Sequence, residues 1–280
     1  MRIKKLADRW LDHKETQYRQ ERLKASTLKS YKDTMRHVQA NFGDIRVGRN
    51  LSIADIEQRL EQVPGSYPPR VKSVLAQMYD YHGVDRNPFR KLTAGVKVRR
   101  VTAVPSLETV YKLADSCREY RPLVLGLAAS GLRFGEAAAL TQDMVNIDRR
   151  QVRVASSYCQ VEQSIQSTKT DNVRTALIAS FGIEAFKVPI HDSIYLFSGR
   201  RGGPLDSSTF HRDFWQKAKR RVGVGWRIHD LRHFYATHML ASGVPVATVA
   251  AWLGHSSAQT TMRVYAGFVE DDYSVWAGRV

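Results

Sequence analysis

Apolar side chains recur every three to four residues through the first part of the chain. Ile3, Leu6, Trp10 and Leu11 mark one stripe, and Leu28, Tyr31, Met35 and Val38 mark a second. This spacing predicts an amphipathic helix from Ile3 to about Glu21 and another beginning near Leu28, the latter capped by Ser26-Thr27. Ser52 caps a short third helix ending near Leu60. Pro68-Pro69 opens a fourth, with Val71, Val74, Leu75, Met78 and Tyr79 inward and Gly83 at its end. Periodicity then lapses until Ser106, which caps a helix running to Cys117. An apolar helix over Arg121–Ala129 follows, with a turn at Gly131 and a helix over Phe134–Leu140. The pattern then changes to strands, with Val145, Ile147, Val152 and Val154 flanking a turn at Asp148–Arg150 and a third strand over Val173–Ile178. From Ser207 onward the spacing is helical again. The chain is thus mainly α with a small antiparallel β-sheet, an α+β fold. Its domains are a helical unit at 1–83, a basic linker at 84–104 and a second domain at 105–280.

A length of 280 residues with 43% hydrophobic positions supports two real cores and excludes wholesale disorder. The formal net charge is +16, and the first hundred residues hold 22 Lys and Arg against 11 Asp and Glu. Such an excess suits a polyanion such as nucleic acid, although charge alone fits a merely soluble basic protein equally. The linker run Lys97–Arg100 lies against phosphates or is a solvated tether. Cys117 and Cys159 sit in apolar stretches without partner spacing, as two buried free thiols in a reducing compartment. The start MRIKKLADRWLDHK has no signal-peptide core, and the apolar run near Pro122–Ala129 is too short to span a bilayer. A cytoplasmic or nucleoid location follows.

The stretch WRIHDLRHFYATHML, Trp226–Leu240, reads as a helix with Ile228, Leu231, Tyr235 and Met239 on its core side and His229, Arg232 and His233 together on the adjacent one. Histidines beside a core are often structural. A zinc helix also spaces two His four apart, but Asp230 stands where the metal-helix base would be, and Arg232 between the ligands repels a cation; no metal site is expected. In ASGLRFGEAAAL, Gly131 ends a helix and Arg133 opens the next, facing anions along with backbone N–H groups, and Glu136 can hold its guanidinium. A surface Arg–Glu pair would look the same. In LGHSSAQTTMRVYAG, Gly254 ends a helix, His255 lies in the turn, Ser256-Ser257 can cap the next helix, and Tyr265 sits in a polar neighbourhood.

Taken in order, Arg133 in G-L-R-x-G-E, His229 and Arg232 in H-D-L-R-H, His255 in L-G-H and Tyr265 resemble the tyrosine recombinase family, the phage integrases and their relatives. The basic helical start S-T-L-K-S-Y resembles that family's core-site-binding domain, so the resemblance covers nearly the whole chain. It implies a helical core-binding domain and a catalytic domain forming a C-shaped clamp round DNA. Arg133 and Arg232 would grip the scissile phosphate, and Lys169, in STKTDNVRTAL, would protonate the leaving group. His229 and His255 would bond the phosphate and manage protons, and Tyr265 would be the nucleophile. Glu136 would support Arg133, and His233 would pack beside the site. Lys24, Lys29, Arg36, Arg70, Lys72, Arg99 and Arg100 are the expected DNA-backbone contacts.

The implied reaction cleaves and rejoins DNA through a 3′-phosphotyrosine, without metal, ATP or other cofactor, because arginine forks supply the charge that Mg²⁺ supplies elsewhere. The implied partners are double-stranded core or attachment sites, bound by a homotetramer on two duplexes and by a monomer when free. The family's larger phage integrases carry a further DNA-binding module before the core-binding one, whereas this sequence starts almost directly in the core-binding pattern. Tail residues Glu270–Val280 either dock on a neighbouring protomer or close their own domain. Phage or prophage integration is the leading role. A Xer-like or plasmid resolvase and a transposon recombinase share the chemistry, while a non-catalytic DNA-binding regulator, a metallohydrolase and a type IB topoisomerase are the rivals of other classes.

Overall fold

Two helical stripes and a mixed α/β segment fold into separate units, Met1–Arg100 and Val101–Val280. The computed structural model describes residues 1–90, 106–167 and 173–255. Lys97–Arg100, the 168–172 segment with Lys169, and everything after His255, including Ser256-Ser257, Tyr265 and the tail, lie outside the described residues.

The first unit contains α1 (Ile3–Arg19), α2 (Ala25–Phe42), α3 (Ile53–Glu61) and α4 (Pro68–Tyr81). The apolar stripes meet in one core, where Ile3, Leu6, Val38, Phe42, Val71, Leu75 and Met78 are sealed from solvent. Phe89, in a short 3₁₀ turn at Pro88–Arg90, stacks edge-on against Tyr79 and Phe42, so packing of this unit continues to Arg90. Ser52 caps α3 as expected, in a reciprocal box in which its hydroxyl accepts from Asp55 N while Asp55 accepts from Ser52 N. Helix α2 starts earlier than expected. Lys24 holds the cap position and Ser26 and Thr27 lie inside the first turn, making no cap. Ala25 is buried with Leu28, so the apolar stripe extends one step toward the N-terminus. That burial replaces a cap worth ~1 kcal/mol.

The second unit is built round α6 (Arg121–Ser130), in which every residue from Leu123 to Ser130 is buried. A helix apolar on all sides belongs inside a core. Around it lie α5 (Leu107–Ser116), capped by Ser106, α7 (Phe134–Ala138) and a 3₁₀ segment over Ser180–Phe186. Strands β1 (Val145–Asn146), β2 (Gln151–Val154) and β5 (Arg174–Leu177) form an antiparallel sheet in the order β1-β2-β5, with Val152 opposite Ala176. A second ladder, β3 (Ser156–Cys159) with β4 (Ser164–Ser167), was not expected, because its residues are polar and its faces are not buried. Cys159 lies on it half-exposed, unlike the sealed Cys117, and both thiols are free.

The remainder is α8 (Ser207–Phe210), a π-helical turn at His211–Trp215, α9 (Gln216–Val222), α10 (Asp230–Ala241) and α11 (Val246–Leu253). Helix α10 is shorter than its sequence pattern. Trp226–Ile228 precede it and His229 holds its N-cap position, because the Asp230 carboxylate accepts from Arg227 N at 2.7 Å and turns the chain there. Among the described residues no helix is long and apolar enough to cross a membrane.

Candidate active site

Helix α11 ends in a turn that organises the site. Gly254 takes the left-handed conformation at φ +66°, which glycine adopts without a Cβ penalty. His255 N donates to Ala250 O and Gly254 N to Ala251 O, each at 3.0 Å. These two bonds form a Schellman motif, which leaves the next carbonyls of the helix end free. An arginine takes each of the next three in turn. Arg174 Nε donates to Trp252 O at 2.8 Å, Arg232 Nη2 to Leu253 O at 2.5 Å, and Arg133 Nη2 to Gly254 O at 3.5 Å. The negative end of the helix dipole favours cations at this place. His255 follows directly, so three guanidinium groups fix the turn that presents it.

The same arginines tie the turn to the rest of the unit. Arg232, buried at 3% exposure, also donates through Nη1 to Gly131 O at 2.8 Å and so bridges the ends of α6 and α11. Gly131 stands at φ +65°, and a Cβ there would come within 2.5 Å of the Tyr235 ring. Only glycine therefore lets the α6 carbonyl reach Arg232 while Tyr235 packs beside it.

Glu136 accepts four hydrogen bonds. Arg133 N gives one at 2.8 Å and Arg133 Nη1 one at 2.9 Å, while Arg174 gives two, at 2.9 and 2.6 Å. These fill the acceptor sites of a carboxylate. Burial would raise the Glu136 pKa, but the hydrogen bonds and charge of Arg174, then those of Arg133, hold it below the usual carboxylate value. The glutamate is therefore ionised at neutral pH, and three arginines stand against one carboxylate. The surplus positive charge faces outward through Arg133, whose side chain is 47% exposed.

Two imidazoles complete the described cluster. His255 is half-buried. Its burial, then the charges of Arg232, Arg133, Arg174 and His229, push its pKa down to about 4. His229 keeps one edge in solvent. Crowding of the rest of its ring, then His233 and Arg232, push its pKa down to about 4 against the weaker pull of Asp230. The His233 ring meets His229 edge-on with centroids 5.1 Å apart. Both His229 and His255 are thus neutral at pH 7 beside permanent cations. This arrangement can bind an oxyanion through guanidinium forks and exchange protons through the imidazoles.

Arg133, Glu136, His229, Arg232, His233 and His255 are therefore gathered in one place, while Lys169 and Tyr265 lie outside the described residues. Of the expected DNA contacts, Lys24, Lys29, Arg36 and Arg70 are exposed on the first unit, Arg36 paired with Asp33, and Lys72 is half-buried. Arg99 and Arg100 lie outside the described residues. Sequence reasoning missed Arg174. The signal was strand alternation: Arg174 and Ala176 share a face of β5, and Ala176 is buried against Val152. A charged residue on the inward face of a strand needs a buried partner. Among the described residues no group of three His, Cys, Asp or Glu side chains is placed to hold a metal ion.

The fold and the site define a mainly helical protein with a small antiparallel sheet and an arginine-rich oxyanion cradle. The chain belongs to the phage integrase family, whose model matches residues 105–269. Transposase A from transposon Tn554 of Staphylococcus aureus is 28% identical over 207 residues, covering 68% of this chain and 56% of its own. Tyrosine recombinase XerA of Pyrococcus horikoshii is 30% identical over 159 residues, 55% of this chain and 52% of its own. The chain spans about half the length of the curated relatives it matches. Among solved structures, the Tn1549 transposon integrase in complex with a circular intermediate DNA superposes over 100% of both chains with a TM-score of 0.78 at 18% identity. A lambda integrase dimer bound to a core site superposes over 93% of this chain and 97% of its own, with a TM-score of 0.66 at 15% identity. At these identities the likeness is one of fold.

Proposed function

We propose that the protein is a site-specific DNA recombinase that cleaves and rejoins duplex DNA through a 3′-phosphotyrosine. The observation that carries this reading is the trio Arg133, Arg174 and Arg232 on three successive carbonyls of the turn that presents His255. Arg133 and Arg232 hold the non-bridging oxygens of the scissile phosphate, which gain charge in the transition state. Tyr265 attacks the phosphorus, and its phenolic proton passes to an imidazole, His229 or His255, both neutral at pH 7. The phosphorus–O5′ bond breaks, and Lys169 protonates the departing 5′-oxygen. A 5′-hydroxyl from a partner duplex then reverses the step and releases the tyrosine.

Lys24, Lys29, Arg36, Arg70, Lys72, Arg99 and Arg100 neutralise backbone phosphates, so binding weakens steeply with salt. The protein acts as a tetramer on two duplexes in a bacterial cytoplasm and is monomeric when free. Integration of a phage or prophage genome is the first role. Transposon excision or a Xer-type role is the second, favoured by relatives named as a transposase and as Xer recombinases.

The deciding experiment traps the covalent adduct on a nicked duplex and maps the attached residue. Tyr265→Phe retains DNA binding and forms no adduct. An adduct at another residue, or undiminished adduct in that variant, removes this reading.

A further inference from the structure

A cavity of about 770 Å³ lies in the second unit, beside the N-terminal end of α6. The Arg133–Arg232 cluster sits beyond its C-terminal end. Ten residues of helix separate the two by about 15 Å. Arg118, Arg200, Arg201, Lys217 and Arg221 line the cavity. The two carboxylates on its wall are already engaged. Asp206 caps α8 through Thr209 N at 2.7 Å, and Asp213 accepts from Arg212 at 2.8 Å. Arg200 is paired with Glu119 at 2.9 Å and lies over the Phe214 ring. Among the described residues, Arg118, Arg201 and Arg221 make no ion pair.

Three local features are unfavourable for a cavity that stays empty of ligand. Lys217 and Arg221 stand four apart on α9, where like charges repel. Arg118 holds a left-handed backbone at φ +53°, a conformation disfavoured for a side-chain-bearing residue. The helix containing Asp213 and Phe214 opens into a π-helical turn at His211–Trp215, a distortion frequent at functional sites. Arg200 and Arg201 occupy the centre of a tight turn closed by Gly202 N donating to Gly199 O at 2.8 Å. These three features and the Arg200–Arg201 turn converge on one concavity, and a multiply charged anion resolves the repulsion. A single carboxylate carries too little charge for so many cations, whereas linked phosphates match both the charge and the forked donors.

We infer that this cavity is a second phosphate-binding site, taking a polyanion with two or more phosphates. The source is either the backbone of duplex DNA or a free polyphosphate. The site requires no strand cleavage, so it stands independently of Tyr265 chemistry. Fifteen ångströms is about four to five steps along a duplex strand, within reach of the same DNA.

The test uses the full chain with Arg133→Gln, so that the catalytic cluster does not compete. Calorimetry measures inorganic triphosphate, and anisotropy measures a duplex across a salt series. Adding Arg201→Gln with Arg221→Gln is expected to weaken triphosphate about tenfold or more. If the duplex is the occupant, the same change lowers the salt slope by about one to two. If a free polyphosphate is the occupant, the triphosphate loss comes with an unchanged duplex slope. Lys217→Gln should weaken binding while thermal stability holds, because the repulsion from Arg221 that it relieves offsets the attraction to Asp213 that it removes. Unchanged triphosphate affinity together with an unchanged salt slope would overturn the inference, as would binding loss only in step with loss of stability. Adduct formation at Tyr265, scored separately in the Arg133 protein, reports on the recombinase reading alone.

Discussion

Arg174 and Glu136 form a two-pronged ion pair, at 2.9 and 2.6 Å, with side chains only 10% and 4% exposed. The pair joins strand β5 to helix α7, and the same arginine reaches the end of α11 through Trp252 O. It therefore sets the spacing between Arg133, which shares Glu136, and the turn bearing His255.

Removing Arg174 leaves a buried carboxylate without its main partner, which costs about 3–5 kcal/mol. Arg174→Ala should lower the urea midpoint accordingly and slow covalent cleavage by more than it weakens DNA binding. Arg174→Lys should recover part of the stability and little of the cleavage, since one ammonium cannot serve Trp252 O and both Glu136 oxygens. Equal stability of Arg174→Ala and the parent protein would contradict this role.

Two glycines separate backbone strain from crowding. A Cβ on Gly254 would lie 2.9 Å from Arg174 Cδ, whereas a Cβ on Gly223, at φ +75°, would meet open space. Gly223→Ala should cost about 1–2 kcal/mol for its left-handed backbone alone. Gly254→Ala should cost more in the same denaturation measurement and should also impair cleavage, because Arg174 must move.

The imidazoles make stability depend on acid. Both pKa values stand near 4 in the folded protein against 6.5 for a free histidine. Between those values the unfolded chain binds more protons, so stability falls as pH drops from about 6.5 toward 4. Replacing His255 by Gln should flatten that fall in denaturation curves at pH 7 and pH 4.5. A bound phosphodiester should raise both pKa values, seen as downfield-shifted ring protons at fixed pH on adding duplex. His229 and His255 titrating near 6.5 in the free protein would refute the burial of their rings beside the arginines.

Lys169→Ala should cleave a duplex whose 5′-bridging oxygen is replaced by sulfur far better than an ordinary one, because a thiolate leaves without a proton. An equal loss on both substrates would remove Lys169 as the acid.

Much of the fold could be read from local pattern. Ser52, Pro68 and Ser106 mark helix starts because capping depends on neighbours in sequence, and Gly131 and Gly254 mark helix ends for the same reason. The first turn of α2 and the N-cap of α10 escaped, since burial of Ala25 and the Asp230–Arg227 bond override the nearer signals. The polar β3–β4 ladder carries no burial periodicity to read.

The sequence by itself determined the helical stripes, the order of the arginine and histidine boxes and the chain's positive charge, all properties of spacing and composition. Only the tertiary structure decided that Arg174 belongs to the site and that three arginines cap three successive carbonyls. Those bonds span up to 121 residues, and hydrogen-bond partners so distant are chosen by packing, which short-range pattern does not encode.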